Sequence, residues 1–422
     1  MRKSVIPRIF GALAALAAVA CDPPAAKTAE TRPDAAGKET TLAHVASENN
    51  RFALELYQKL RVGNGNILAS PYGISTAFAL AYPAARGKTA AELARAFHFG
   101  ACDADTFTAL GALFKTINDA GKDGSFQLST ANALWGQEGV ALLPDYLKTV
   151  EDHFGAGLRR VDFKSNPEAA RLVINQWIEA QTRDKIKDLL KKGDLNQATR
   201  LVLTNAVYMK AAWAEPFNKP LTHDEPFHLT LETKPTVPTM HRTGDYNYYE
   251  GGSFAAVEIP YALHALSMIV ILPTIKPTST TSGYAALANT ENALTLDWLP
   301  KLRGSKVELA LPRFKFENRF ALKSTLAALG VVDAFQYNDA DFSGMTGRKD
   351  FWIDEAVHQT YIDCNEEGTE AAAATAIMMR SAAMMVPKPP IPFHADHPFL
   401  FLIRENTTGC ILFIGRVVNP RG

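Results

Sequence analysis

In the first half of the chain the hydrophobic positions recur at helical spacing. Phe52, Leu56 and Leu60 recur every four residues, and the run stops at Gly63-Asn64-Gly65, which predicts a helix that ends there. Thr89-Ala90-Ala91-Glu92 has the pattern of a capping box, so a second helix is predicted to open at this point.

Two more helices follow from the same reasoning. Asn166-Pro167-Glu168 fits the N-cap, N1 and N2 positions of a helix with Val173 and Trp177 on one face. An earlier helix is predicted from four hydrophobic residues at spacings of one, three and four: Leu110, Leu113, Phe114 and Ile117.

After residue 200 the pattern becomes that of strands. Residues 201–209 and 265–272 are near-continuous apolar runs, typical of strands buried on both faces. Another strand is predicted around 307, 309 and 311, where apolar residues alternate. Two further strands are predicted over 399–404 and 411–418, joined by a turn at 406–409. Helices first and strands later, without regular βαβ alternation, favour an α+β fold. With no linker-like break, residues 42–422 are predicted to form a single domain.

The N-terminus has the composition of a targeting segment. A basic start is followed by an apolar run over 9–20, too short to span a membrane as a helix, and residues 1–21 are predicted to be a signal peptide. Small residues before Cys21 resemble the lipobox of bacterial lipoproteins, although Ala18-Val19-Ala20 also fits an ordinary cleavage site. Residues 22–41 are rich in Pro, Ala, Thr and charge, which predicts a flexible tether.

These features predict an exported protein, held in the cell envelope by a lipid on Cys21 or, as the alternative, secreted. Lys+Arg and Asp+Glu both number 44, and this balance gives no reason to expect nucleic acid as a partner. Of the remaining cysteines, Cys364 is expected to be a buried small residue rather than a redox switch. Cys102 and Cys410 carry no specific signal.

Motifs for catalysis or cofactor binding are missing from the sequence. It contains no GxSxG, HExxH, Walker A or GxGxxG motif, so neither an enzyme nor a cofactor is expected. The densest acid and histidine patch is 223–228, where His223 and His228 lie five apart with a proline between them. This is poor ligand geometry on a regular element, and the patch is predicted to be a solvated loop with no metal.

Segment 366–398 fits two structures. Ala is the best helix former, so propensity favours a helix over 369–385. In the alternative structure the segment is a strand with one uncharged face, formed by Thr369, Ala371, Ala373, Thr375, Ile377 and Met379. Both charges, Glu370 and Arg380, then lie on the other face.

Several motifs in order resemble the serpins, the serine protease inhibitors, over essentially all of residues 45–420. They are Asn66–Pro71; Leu203–Tyr208 with Trp213 and Phe217; Asp224–Phe227; Val357–Gln359; Glu366–Ala376; Phe393–Ile403; and Gly415–Pro420. The resemblance implies a serpin fold, with three β-sheets, about nine helices and an exposed reactive loop over about 366–392.

The resemblance also implies a suicide-substrate mechanism rather than an enzyme. A target serine protease cleaves the loop, which then inserts into the main sheet and carries the acyl-enzyme roughly 50 Å. The implied hinge is Glu366, Glu367, Gly368, Thr369, Glu370, Ala371, Ala372, Ala373 and Ala374. Thr369 and the four alanines at 371–374 are small and uncharged, which favours fast insertion. This feature separates an inhibitor from the alternative, a non-inhibitory serpin that acts as a binding or carrier module. A monomer is expected.

The family pattern implies a reactive bond about seventeen residues from the first glutamate of the hinge. Counting Glu366 as one gives Ala382–Ala383, which predicts elastase-like or subtilisin-like targets. The alternative, Arg380–Ser381, would suit a trypsin-like enzyme with an acidic pocket. Met384 and Met385 are lesser candidates.

Two further groups of residues match family positions. Ser70, Asn205 and His358 match the polar shutter that controls opening of the main sheet, and Trp213 matches the breach, where the loop would enter the sheet. Gly73 departs from the pattern, because serpins usually carry a second serine there.

Overall fold

The computed structural model describes residues 33–155, 157–278, 281–369 and 389–422, with side chains from residue 42 onward. Among these residues it has nine α-helices: α1 (Pro33–Leu60), α2 (Pro71–Ala81), α3 (Gly87–Phe97), α4 (Ala104–Ala120), α5 (Pro144–Phe154), α6 (Pro167–Gln181), α7 (Gly283–Asn292), α8 (Leu322–Ala327) and α9 (Ser343–Thr346).

The same residues form fifteen strands: β1 (Ile67–Ala69), β2 (Phe126–Gln137), β3 (Arg159–Val161), β4 (Leu201–Ala212), β5 (His223–Pro226), β6 (Thr236–Glu250), β7 (Phe254–Pro260), β8 (Leu266–Pro273), β9 (Arg303–Pro312), β10 (Phe314–Ala321), β11 (Ile353–Asn365), β12 (Gly368–Thr369), β13 (Ile391–His394), β14 (Phe399–Glu405) and β15 (Ile411–Val417). The predicted α+β class is confirmed.

The strands described make two hydrogen-bonded sheets rather than the three expected. One sheet has the order β1-β15-β14-β8-β7-β6-β9-β13, with β5 paired to β6, and the other has the order β10-β11-β12-β4-β2-β3. Strand β6 is long enough to pair with β5, β9 and β7 in turn along its length. It therefore joins what would otherwise be two separate sheets.

The six-stranded sheet is buried on both faces at its centre. Strand β4 alternates between two hydrophobic clusters. Leu203 and Val207 belong to the main core, while Val202 and Ala206 belong to a second cluster that includes Ile174 of α6. Because successive side chains of a strand point to opposite faces, a continuous apolar run is what this doubly covered position requires.

Helix α6 begins as predicted but buries a different face. The side chain of Asn166 accepts a hydrogen bond from the backbone N–H of Ala169 at 3.0 Å, so the predicted N-cap is confirmed. Val173, however, is 51% exposed, and the buried face includes Ala170, Ile174 and Ile178. These three recur at four-residue spacing, which places them on one helix face.

The predicted capping box of α3 is wrong. The helix begins at Gly87, upstream of the box, and no side chain caps it. Thr89 accepts a hydrogen bond from the backbone N–H of Asp341, and Glu92 accepts bonds from the N–H groups of Val332 and Asp333. Both side chains are buried, so they join the helix to a distant loop instead of capping its own first turn.

The first helix starts inside the segment predicted to be a tether. Helix α1 begins at Pro33, although the tether was predicted to extend to residue 41, and proline is well tolerated in the first turn of a helix. Residues 1–32, including Cys21 and the predicted signal peptide, lie outside the described residues. Among the helices described, none is both long and apolar enough to cross a membrane.

Candidate functional site

The segment predicted to be a hinge forms a short strand inside the six-stranded sheet. Strands β11 and β4 pair directly and in parallel up to Tyr361 and Tyr208. Beyond that point β12 lies between them. It is antiparallel to both, with Thr369 opposite Cys364 of β11 and Ala211 of β4. The chain therefore already has two hinge residues in the position of a new central strand.

Gly368 is required by the close approach of β12 to β4. Its φ of 148° lies in a region that side chains rarely adopt. A Cβ atom there would lie 2.1 Å from the carbonyl oxygen of Ala211 and 2.7 Å from the Cα of Ala212. Any side chain at this position would thus push β12 away from its neighbour.

The side chain of Thr369 is fully inserted into the core. It is 1% exposed, and its hydroxyl forms a 2.7 Å hydrogen bond with the phenol of Tyr261. Burial raises the pKa of Tyr261 well above its usual value, so the phenol stays protonated. Because Thr369 and Tyr261 satisfy each other, the hydroxyl adds no unpaired polar group to the core.

Glu366 anchors the hairpin turn between β11 and β12. Its carboxylate is buried and accepts hydrogen bonds from the Arg313 guanidinium, with Nε at 2.8 Å, and from the Thr222 hydroxyl at 2.6 Å. Burial alone would raise the pKa of Glu366, but the hydrogen bonds from Arg313 and Thr222 outweigh it and hold that pKa below its usual value. Lys219 binds the neighbouring Glu367 at 2.6 Å.

Trp213 fixes the backbone of the same turn. Its indole N–H donates to the carbonyl of Asn365 and its backbone N–H to the carbonyl of Glu367, both at 2.9 Å. The indole ring stacks on Tyr261 with centroids 4.5 Å apart. Trp213, predicted to lie at the entry point of the loop, therefore contacts both the turn and the phenol that binds Thr369.

The three residues predicted to form a shutter lie together in a hydrogen-bonded chain. The backbone N–H of Ser70 donates to Nε2 of His358 at 2.9 Å, and the Ser70 hydroxyl donates to the carbonyl of Leu412 at 2.7 Å. Nε2 is an acceptor here, so Nδ1 carries the proton and donates to the side-chain oxygen of Asn205, whose amide in turn donates to Asn132. Complete burial lowers the pKa of His358 to about 3, which keeps the ring neutral.

Gly73 stands in this network where the family usually has a serine, so the network has one fewer hydroxyl. A Cβ atom at this position would lie 2.6 Å from Cγ2 of Val207 and 2.8 Å from the side-chain nitrogen of Asn205. A serine would therefore have no room unless Asn205 moved. The backbone N–H of Gly73 still takes part, because it donates to the Ser70 hydroxyl at 3.1 Å.

Several predicted site residues cannot be compared with the structure. Glu370–Ala374 of the hinge and both candidate bonds, Ala382–Ala383 and Arg380–Ser381, lie outside the described residues, so their roles stay predictions. Cys364 is buried beside the hinge, as expected, and burial raises the pKa of its thiol.

The sequence did not predict four contacts of the hinge: Thr222 and Arg313 with Glu366, Lys219 with Glu367, and Tyr261 with Thr369. Each lies far from Glu366 along the chain and carries no local motif, so only the tertiary fold brings it to the hinge. Only the segment 219–227 carries a motif in the sequence, because Asp224–Phe227 resembles the family pattern. That motif identifies the segment but does not say what it contacts.

The comparisons with known proteins agree with this geometry. A family model described as Serpin (serine protease inhibitor) matches residues 47–420. The human leukocyte elastase inhibitor is 41% identical over 392 residues, which cover 90% of this chain and all of that protein. An uncharacterized serpin-like protein of Thermococcus kodakarensis is 40% identical, covering 91% of this chain and 88% of that protein.

A solved structure gives the same result. Serpin48 of the insect Tenebrio molitor matches with a TM-score of 0.78 and 33% identity, covering 89% of this chain and 98% of that chain. The chain belongs to the serpin family, with the serpin fold that the motifs implied. It is a protease inhibitor and not a catalytic enzyme.

Proposed function

We propose that the protein inhibits serine endopeptidases as a suicide substrate, by inserting its cleaved reactive loop into the six-stranded sheet. The observation that carries this proposal is the position of β12, which starts a strand between β11 and β4 in the uncleaved chain. A strand that continued from β12 would hydrogen-bond on both sides, replacing one β11–β4 ladder with two.

The register of β12 predicts where each loop residue would lie. Gly368 is opposite Ala212, so an antiparallel strand continued without a bulge would bring Thr375 opposite Asn205. The same count from Asn365 brings Thr375 opposite His358. These two residues are themselves partners in the β11–β4 ladder, so the loop would separate them with a residue that has a hydroxyl.

The same register assigns the two faces of the inserted strand. Alternate residues from Thr369 would face the main core, where β4 contributes Val207 and Leu203. That face is the uncharged one and includes Ala371, Ala373 and Ile377. Glu370 would lie on the opposite face, across from Lys210 of β4, where a cross-strand pair of opposite charge is favourable.

The reactive bond that we propose is Ala382–Ala383, since Ala382 is the seventeenth residue when Glu366 is counted as the first. A small side chain at the cleaved position suits proteases with a small specificity pocket, such as elastase-like and subtilisin-like enzymes. The names of several relatives, leukocyte elastase inhibitors of human, horse and frog, support the same class. Arg380–Ser381 remains the alternative and would direct the protein to trypsin-like enzymes.

Incubation with elastase, subtilisin and trypsin tests this proposal. We expect SDS-stable complexes with elastase and subtilisin, and mass spectrometry should locate the new C-terminus at Ala382. Ala382→Arg should move complex formation towards trypsin, whereas Arg380→Ala, the matched control, should leave the elastase complex unchanged. If every protease cuts the loop and departs, the suicide-substrate mechanism is wrong.

We also propose that the protein is exported as a monomer and anchored in the cell envelope by a lipid on Cys21. The support is the basic start, short apolar run and small residues before this cysteine. Metabolic labelling with a radioactive fatty acid should modify the wild type and not Cys21→Ser. An unlabelled, secreted wild-type protein would support the alternative of an ordinary signal peptide.

A further inference from the structure

A cluster of two histidines and one glutamate lies on the β5–β6 ribbon. His223 and Glu225 are two residues apart on β5, so they share a face. His223 is opposite Thr239 of β6, and His241 is two residues beyond Thr239 on the same face. One ligand atom from each of His223, Glu225 and His241 lies within 4.8 Å of the others.

The sequence does not reveal this cluster, because its third member is remote in the chain. Spacing along the chain pairs His223 with His228, which is not a member of the cluster in the structure. The antiparallel pairing of β5 with β6 supplies His241 instead. The proline between His223 and His228 made that pair a poor ligand set. It does not affect His223 and His241, the pair that the fold brings together.

The hydrogen bonding of His223 leaves a lone pair directed at the carboxylate. Its Nδ1 lies 3.0 Å from the backbone carbonyl of Leu221, which only accepts, so Nδ1 carries a proton in this bond. In the neutral ring Nε2 then has a lone pair, and it lies 2.9 Å from Oε1 of Glu225. A cation shared by these two atoms, either a proton on Nε2 or a metal ion, accounts for this short distance.

His241 completes the arrangement from the other strand. Its Nε2 is shielded from solvent and makes no hydrogen bond of acceptable geometry, although the same Oε1 of Glu225 is only 3.1 Å away. The rings of His223 and His241 stack in parallel, with centroids 4.5 Å apart and planes 6° apart. The two Nε2 atoms therefore face the same carboxylate oxygen from neighbouring strands, and each can serve as a ligand atom.

We propose that His223, Glu225 and His241 bind a divalent transition-metal ion of the zinc class. Two imidazoles and a carboxylate are a known protein ligand set for zinc, with a fourth position left for water. Imidazole ligands argue against calcium and magnesium, which prefer oxygen. The contact between Nδ1 of His223 and a backbone carbonyl is the outer hydrogen bond that usually orients a metal-binding histidine.

Forming the site requires one imidazole ring to turn. Tetrahedral ligands at about 2.0–2.1 Å from zinc lie roughly 3.3 Å from one another, close to both nitrogen-to-carboxylate distances given above. A metal ion lies in the plane of each imidazole that binds it, but the two rings are within 6° of parallel. The 61% exposed side chain of His223 must therefore turn out of the stack before both Nε2 atoms can bind one ion. The site lies beside the hinge anchor, since His223 directly follows Thr222, whose hydroxyl donates to Glu366.

Zinc and cobalt titrations of the full-length, metal-free protein test this proposal. We expect one equivalent of Zn²⁺ to bind to the wild type and to raise its melting temperature. Loss of an outer hydrogen-bond partner lowers metal affinity about 10–100-fold. His223→Ala and His241→Ala each remove a ligand itself, so each should weaken binding by more than that. His44→Ala, which changes an exposed histidine of α1, is the matched control and should bind as the wild type does.

Co²⁺ identifies the ligands independently of affinity. The cobalt-loaded protein should show visible bands typical of nitrogen and oxygen ligands, without the charge-transfer band of a thiolate, and both cluster variants should lose them. Melting curves of the metal-free variants confirm that each one folds. If neither metal binds, or if His223→Ala and His241→Ala bind as tightly as the wild type, the assignment is wrong.

Discussion

The imidazole of His358 in β11 donates a hydrogen bond to the side-chain oxygen of Asn205 in β4, across the seam between these strands. The two residues are also direct partners in the ladder. Any strand that enters between β11 and β4 has to break this bond. Since both groups are fully buried, the entering strand must offer a replacement or leave each of them unpaired.

Thr375 is the residue that we expect to supply this replacement. In a strand continued from β12 in the same register, its hydroxyl would lie between His358 and Asn205, where it could accept from one and donate to the other. Thr375→Val has the same shape without the hydroxyl, so it should destabilise the cleaved, inserted form by about 1–3 kcal/mol. Chemical denaturation of the cleaved protein measures this, with Thr375→Ser as the control that keeps the hydroxyl. Equal stabilities for the Val and Ser variants would disprove the register.

The neutral His358 makes stability depend on pH. Its pKa is about 3 in the folded protein and about 6.5 when unfolded, so between these values the unfolded chain binds the extra proton. Stability is therefore complete above about pH 6.5 and declines as the pH falls towards 3, by up to about 1.4 kcal/mol per pH unit from this group. Between pH 7 and pH 5 the unfolding free energy of the wild type should decrease by more than that of His358→Gln. Parallel slopes would mean that His358 does not carry this dependence.

Glu366 should anchor the hinge more strongly than Glu367 does. Glu366→Gln removes a buried charge that accepts from Arg313 and Thr222, and we expect the unfolding free energy to drop by about 1–3 kcal/mol. The amide hydrogens of β12 should also exchange faster. Glu367→Gln is the matched control, because its partner Lys219 is largely exposed and such a pair contributes at most about 1 kcal/mol. Equal losses for the two variants would contradict the anchor role.

Thr369→Arg should convert the inhibitor into a substrate. The native side chain is fully buried against Tyr261, and an arginine there would have to bury an unpaired charge or stay outside the sheet. Loop cleavage by elastase should continue while the yield of SDS-stable complex falls sharply. Thr369→Ser should retain most of the complex. An unchanged yield for the arginine variant would count against loop insertion.

Much of the fold could be predicted from the sequence because strand patterns are local. The apolar runs at 201–209 and 265–272 correspond to β4 and β8, and the alternation around Leu309 corresponds to β9. Helix α3 shows the limit of such reasoning. Thr89 and Glu92 have the spacing of a capping box, but their partners are backbone groups near residues 332–341. Local spacing gives no information about such a partner.

The hinge could be predicted from the resemblance to serpins, but its surroundings could not. Composition alone fits both a helix and a strand over 369–385, so it is the family motif over Glu366–Ala376 that identifies Gly368 and Thr369 as hinge residues. The contacts of the hinge, from Tyr261 to Thr369 and from Arg313 to Glu366, come from segments that are distant in sequence. The same holds for Gly73, whose role is clear only once Val207 and Asn205 are seen to fill the space beside it.

The most direct test of the central claim is the melting temperature before and after a single cut in the loop. A protease that is not trapped, used in small amounts, should cleave between Thr369 and Pro389 and leave the two fragments associated. If the native sheet holds free energy in reserve, the cleaved protein should melt at a substantially higher temperature, because the loop then forms a full central strand. A melting temperature that stays the same or falls after verified cleavage would contradict the account.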